Sequence, residues 1–138
     1  MGVLSIFPLL SLPALIYAIL AAPSGTNAAA WLATKALSFK MAGGAEWLLT
    51  RGHLITIFAV FCLFLEILKS TRATTLGMID TALSVGVFIV CLVLFLLVPG
   101  FATTEFFLVM LMAILDFLAG STVMVFAARR TIGVEERH

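Results

Sequence analysis

With 138 residues, 63% of them hydrophobic and only 11% charged, and a mean hydropathy of +1.24, the chain lacks the polar surface that a water-soluble domain needs. A net charge of +1, with no basic patch or stripe, argues against nucleic acid as a partner. The longest segment outside the apolar runs is about thirty residues, too short to sustain a core of its own, so residues 1–138 read as a single all-α integral membrane domain.

The first apolar run, VLSIFPLLSLPALIYAILAA over residues 3–22, has no Lys or Arg ahead of it and is longer than a signal-peptide core. It reads as a first span. Pro8 and Pro13 are expected to bend it or delay its regular start, and Pro23, Ser24 and Gly25 to close it. The connection over 23–53 is the longest. Asn27 is expected to cap a short helix, AAAWLATK, with Trp31 as an interfacial anchor. From Leu37 the period changes to two: Leu37, Phe39 and Met41 alternate with Ser38 and Lys40 before Gly43-Gly44 and a second short run from Glu46 to Arg51. Alternation on both sides of a glycine turn signals a β-hairpin resting on the helix ends or the lipid interface. The alternative is an early helical start at Trp47, with Arg51 snorkelling.

The second span is read over 54–68, which at ~1.5 Å per residue covers only about 22 Å, so an extension from Arg51 or snorkelling by Lys69 is expected to make up the difference. A polar connection over 69–78 leads to a third span over 79–98, closed by Pro99 and Gly100. The fourth runs over 103–128, followed by a tail over 129–138. Short connections make consecutive spans antiparallel, which gives a four-transmembrane-helix up-down-up-down bundle with a small extracytoplasmic hairpin or interfacial segment between helices 1 and 2. Lys69, Arg72, Arg129, Arg130 and Arg137 fall on one side, against Lys35, Lys40 and Arg51 in the long loop, which places both termini in the cytoplasm of a bacterial-type inner membrane.

Three acids lie within or at the edges of the spans. Glu66 has a same-face partner in Lys69, and Asp80 falls in the first turn of the third span, where negative charge suits the helix dipole. Asp116 differs, because it lies near mid-depth with no cation at its level. Its helix face carries Ala113, Ala119 and Gly120, small residues that permit close approach of a neighbouring helix, while Ser11, Cys62 and Cys91 share its depth. A carboxyl there must be sheltered, and is expected to be protonated, hydrogen-bonded to a hydroxyl or backbone carbonyl, or matched by a charge from another chain. Asp116 and Gly120 are therefore the leading polar site, with Glu66, Asp80 and Ser11 secondary.

No Ser/His/Asp grouping, phosphate-binding glycine loop or metal-ligand spacing is present, so no catalytic residue, metal or cofactor is expected. Tyr17 and Trp47 are expected at the interfaces, and Cys62 and Cys91 in packing roles. The layout suggests a non-catalytic membrane protein that works by helix-helix assembly, either as a homo-oligomer or as an accessory subunit, with membrane lipids around it. An oligomeric proton- or ion-coupled transporter or channel using Asp116 is the alternative, and a lipid- or quinone-linked enzyme the third reading.

Overall fold

The computed structural model describes residues 6–71 and 75–135. Helix α1 covers Ser11–Leu20, a 3-10 stretch Ala22–Asn27 leads to α2 (Ala28–Leu32), and β1 (Lys35–Lys40) and β2 (Glu46–Thr50) precede α3 (Arg51–Ser70). Helix α4 (Thr75–Leu97), a 3-10 turn Pro99–Phe101 and α5 (Thr104–Glu135) complete the order. Helices α3, α4 and α5 are long and apolar enough to cross a membrane, and the bent pair of α1 with Ala22–Leu32 makes a fourth if its halves form one span.

The first apolar run departs most from the straight span expected over 3–22. Of that range, residues 3–5 lie outside the described residues, and α1 itself has ten residues, about 15 Å of helix. Pro8 sets the late start: it brings no N–H, and its carbonyl instead accepts from Ser11 N at 3.0 Å and Ser11 Oγ at 2.6 Å. Pro13 sits in the first turn, where its missing N–H costs nothing. At the far end the chain does not stop but bends by 65° into Ala22–Leu32. Gly25 lies inside that stretch at φ +56°, a left-handed conformation that a residue with a Cβ rarely adopts. Asn27 precedes α2, but its side chain makes no capping bond.

The hairpin forms, and the early helical start does not. Phe39 pairs with Trp47, Ser38 with Leu48 and Lys40 with Glu46, with a register shift between Lys35 and Leu37. Met41 N donates to Ala45 O at 2.8 Å across a turn in which Gly44 takes φ +86°. Strand β2 then runs directly into α3 through a reciprocal cap. Thr50 Oγ1 accepts from His53 N at 3.3 Å, and His53 Nδ1 accepts from Thr50 N at 3.2 Å, so a histidine fills the place usually held by Glu or Gln. The cap starts α3 at Arg51 rather than 54, and its 20 residues give about 30 Å, enough to span. Helix α4 begins at Thr75 instead of 79. Helix α5 continues past 128 to Glu135, since nothing from Arg129 to Thr131 breaks a helix.

Helix α5 is the central post: it packs along both α3 and α4, which touch each other little, and α1 leans mainly on α3. Contacts at the ends fix the directions. Leu9 meets Glu66, Tyr17 meets Gly100, and Gly52 meets Glu105, so α1, α3, α4 and α5 alternate in direction as expected. The buried face of α3 is Gly52, Ile55, Ala59, Cys62 and Glu66, spaced alternately three and four residues apart, the stripe that knobs-into-holes packing requires. Gly120 of α5 faces Thr81 of α4. A Cβ there would lie 2.7 Å from Thr81 Oγ1, so with threonine opposite, glycine lets the two helices meet at this level.

At the hairpin end the core is aromatic. Tyr17 is fully buried rather than interfacial, with ring centroids 5.5 Å from Phe101 and 5.0 Å from Phe106. Its hydroxyl donates to Gly100 O at 2.9 Å and shares a 2.5 Å hydrogen bond with Thr103 Oγ1. A Cβ on Gly100 would overlap the Ala22 carbonyl oxygen, so this glycine lets the bend after α1 lie against the turn between α4 and α5. Trp47, in contrast, is 48% exposed on the hairpin.

Candidate functional site

The last turn of α3 places Glu66 and Lys69 on one face, three residues apart, and the whole site grows from that pair. Glu66 is completely buried, and its Oε2 accepts the Leu9 N–H at 2.9 Å. Lys69 Nζ donates to Phe7 O at 2.8 Å, lies 3.4 Å from both carboxylate oxygens of Glu66, and reaches Asp80 Oδ1 on α4 at 3.1 Å. The break at Pro8 leaves Phe7 C=O and Leu9 N–H without helical partners, and the two α3 side chains satisfy both. One ammonium thereby ties three chain segments together.

The seam continues one turn along α4. Ser84 is four residues beyond Asp80 on the same face, and its Oγ donates to Asp116 Oδ2 of α5 at 2.7 Å. Asp80, Ser84 and Asp116 are each 4% exposed. Asp116 is thus sheltered inside the bundle, and its partner comes from the same chain.

The other candidates fall differently from expectation. Ser11 bonds its own Pro8 carbonyl rather than the acid. Glu66 and Asp80 were expected to act as separate end groups. They instead share Lys69, and because α4 starts at Thr75, Asp80 lies in its second turn rather than at the dipole. Lys69 turns inward, with a side chain 20% exposed, instead of snorkelling outward. Ser84 is the member that reading by depth overlooked, and the contacts it missed are those of Lys69 to Asp80 and Phe7, beyond its expected partner Glu66. The i, i+3 spacing of Glu66 and Lys69 and the i, i+4 spacing of Asp80 and Ser84 carried the signal, but only the register of the neighbouring helices joins the pairs.

Electrostatically the seam is lopsided, with three carboxyl groups along it and one ammonium, which Glu66 and Asp80 share. Removing either partner from such a buried pair costs far more than the pair contributes, since a charge is left without compensation. Hydrogen bonding is nevertheless complete: among the described residues no buried side-chain nitrogen or oxygen lacks a partner. Glu66 and Asp80 meet at Lys69 while Asp116 bonds Ser84 one turn further along α4, and among the described residues no three His, Cys, Asp or Glu side chains group so as to hold a metal ion. Toward the hairpin end the polar line stops. The next buried residues are Ala113, Met110 and Phe106 on α5 and Cys91 on α4, an apolar layer between Asp116 and the Tyr17 hydroxyl. Cys62 and Cys91 are buried free thiols. Comparison with known proteins assigns the chain to no family: no family model matches it, and neither does a curated protein or a solved structure.

Proposed function

We propose that the chain is a membrane-embedded helical bundle, with both termini cytoplasmic in an inner membrane, that acts non-catalytically by associating through its helix faces with a second copy or a partner membrane protein. The observation that carries this reading is a lateral groove of ≈ 490 Å³ between α1 and α4. Ser11, Ala14 and Ala18 form one wall, Gly86, Val87 and Val90 the other, and small side chains on both sides leave room for a helix to approach closely. Helix α4 is also the most apolar span and the least covered, 17% buried within the chain. Asp116 and Gly120 are already engaged inside the bundle, so the groove replaces their face as the assembly surface. Lys69, Arg129 and Arg130 at one end, against Lys35, Lys40 and Arg51 at the other, support the orientation; Arg72 and Arg137 lie outside the described residues.

Native mass measurement in mild detergent tests this. A defined oligomer or a stoichiometric co-purifying protein is expected, and Gly86→Leu should reduce it, because a Cβ at Gly86 meets nothing within the chain and the monomer is left intact. A clean monomer counts against association. A second reading, proton- or cation-coupled transport, draws on three buried acids in one seam, two of which share one ammonium. It requires pH-dependent flux in proteoliposomes that Asp116→Asn abolishes; flux unchanged by that replacement, or none in the parent, removes it.

A further inference from the structure

A separate cavity of ≈ 410 Å³ lies at the opposite end from the acid-rich seam, in the angle between the hairpin and the first turns of α3 and α5. Trp47 and Leu49, two residues apart on β2 and so on one face of it, form the roof. His53 of α3 and Glu105 of α5 line the upper walls. One turn further along the same two helices, about 5.4 Å deeper, the lining becomes Thr56, Ile57 and Leu108, and the Thr56 hydroxyl is already spent on Gly52 O at 2.9 Å. Charged and unengaged polar groups therefore give way with depth to apolar side chains and a hydroxyl bonded within its own helix, the gradient that runs from a headgroup layer into acyl chains.

The polar groups are free to bind. Glu105 is half-buried against Gly52, and among the described residues its carboxylate makes no hydrogen bond and no ion pair. It begins α5 beside the start of α3, where two helix N-termini suit its negative charge without donating to it. His53 Nδ1 is occupied as the acceptor of the Thr50 N–H, so the neutral ring carries its proton on Nε2, which remains a donor. The Trp47 ring touches Phe39 at 6.1 Å between centroids and is otherwise about half-exposed, offering a surface for a cation.

We propose that this cavity seats the headgroup of an amine-bearing phospholipid. The ammonium lies between Glu105 and the Trp47 ring, the phosphate is met by His53 Nε2–H, and the acyl chains leave past Ile57 and Leu108. The inference rests on the membrane reading above and deepens it by naming a lipid class. Glu105 disfavours an anionic headgroup. It would equally accept a free amine, and the apolar floor is what assigns the source to a lipid.

The test is native mass spectrometry of the full chain in detergent, titrated with phosphatidylethanolamine and phosphatidylglycerol of identical acyl chains. Retention of the ethanolamine lipid should exceed that of the glycerol lipid by about tenfold, and Glu105→Gln should bring the ratio close to one. Trp47→Leu, at a half-exposed strand position, should lower the ratio without affecting the fold, and it carries the test if Glu105→Gln does not fold. Equal retention of the two lipids by the parent protein, an unchanged ratio in both variants, or displacement of the lipid by free ethanolamine at the same concentration overturns the site. A carbonate wash of the parent membranes separates the two claims. Protein released by the wash refutes the membrane reading, whereas protein that stays in the membrane but shows no lipid preference refutes the headgroup site alone.

Discussion

Two regions hold α1 to the rest of the bundle, and they do so with opposite chemistry. At the hairpin end, Tyr17 sits among Phe101 and Phe106 and spends a single hydroxyl on Gly100 and Thr103. At the other end, the backbone on either side of Pro8 is held by Glu66 and Lys69, which also binds Asp80. The aromatic node is made of contacts that add up, so losing one leaves the rest. The charged seam is a mutual arrangement, in which losing one member leaves the others buried and uncompensated. The same helix is thus anchored tolerantly at one end and conditionally at the other.

Replacing Lys69 with Met should expose the contrast most strongly. Glu66 and Asp80 lose their shared cation and Phe7 C=O its donor, for a loss of about 3–5 kcal/mol in detergent unfolding. Neutralising both acids as well, Glu66→Gln with Asp80→Asn, should recover much of that loss; no recovery would mean the acids and the lysine do not depend on each other. Next comes Gly120→Ala, where the added methyl meets Thr81 Oγ1 and about 1–3 kcal/mol is lost, with Thr81→Ala in the same chain restoring the parent stability. Tyr17→Phe at the tolerant end keeps the ring contacts and removes only the hydroxyl, so about 1–2 kcal/mol is expected. A loss as large as that of Lys69→Met would erase the distinction between the two regions. Smallest is Asp116→Asn, which can still accept from Ser84 and should shift stability by less than about 1 kcal/mol.

Much of this arrangement was legible in the sequence, and the failures have physical causes. Apolar runs and intervening polar stretches located α3, α4 and α5, because a long uninterrupted apolar run between polar stretches is legible from composition alone. Their ends were less legible. The start of α3 depends on a Thr50–His53 cap that no usual capping pattern announces, and α5 runs on because Arg129 and Arg130 are good helix formers. The first run misled because Pro8 and Gly25 act through backbone geometry, and hydropathy does not register where a chain bends. Alternation around Gly43-Gly44 did identify the hairpin. For the site, depth and small neighbours picked out Asp116 and Gly120 as buried positions. That Lys69 would turn inward and Ser84 meet Asp116 follows only from which helices adjoin and in what register, information that one chain read in isolation does not contain. Tyr17 looked interfacial for a similar reason: its partner Gly100 lies 83 residues away.

The coupling between Lys69 and Asp80 is the most direct measure of whether the seam acts as one unit. A double-mutant cycle with Lys69→Met and Asp80→Asn, followed by reversible unfolding in detergent, should return a coupling of about 2 kcal/mol, with the double replacement more stable than Lys69→Met alone. A coupling near zero, with the two losses simply adding, would contradict a seam in which one ammonium holds the buried acids and the broken first helix together.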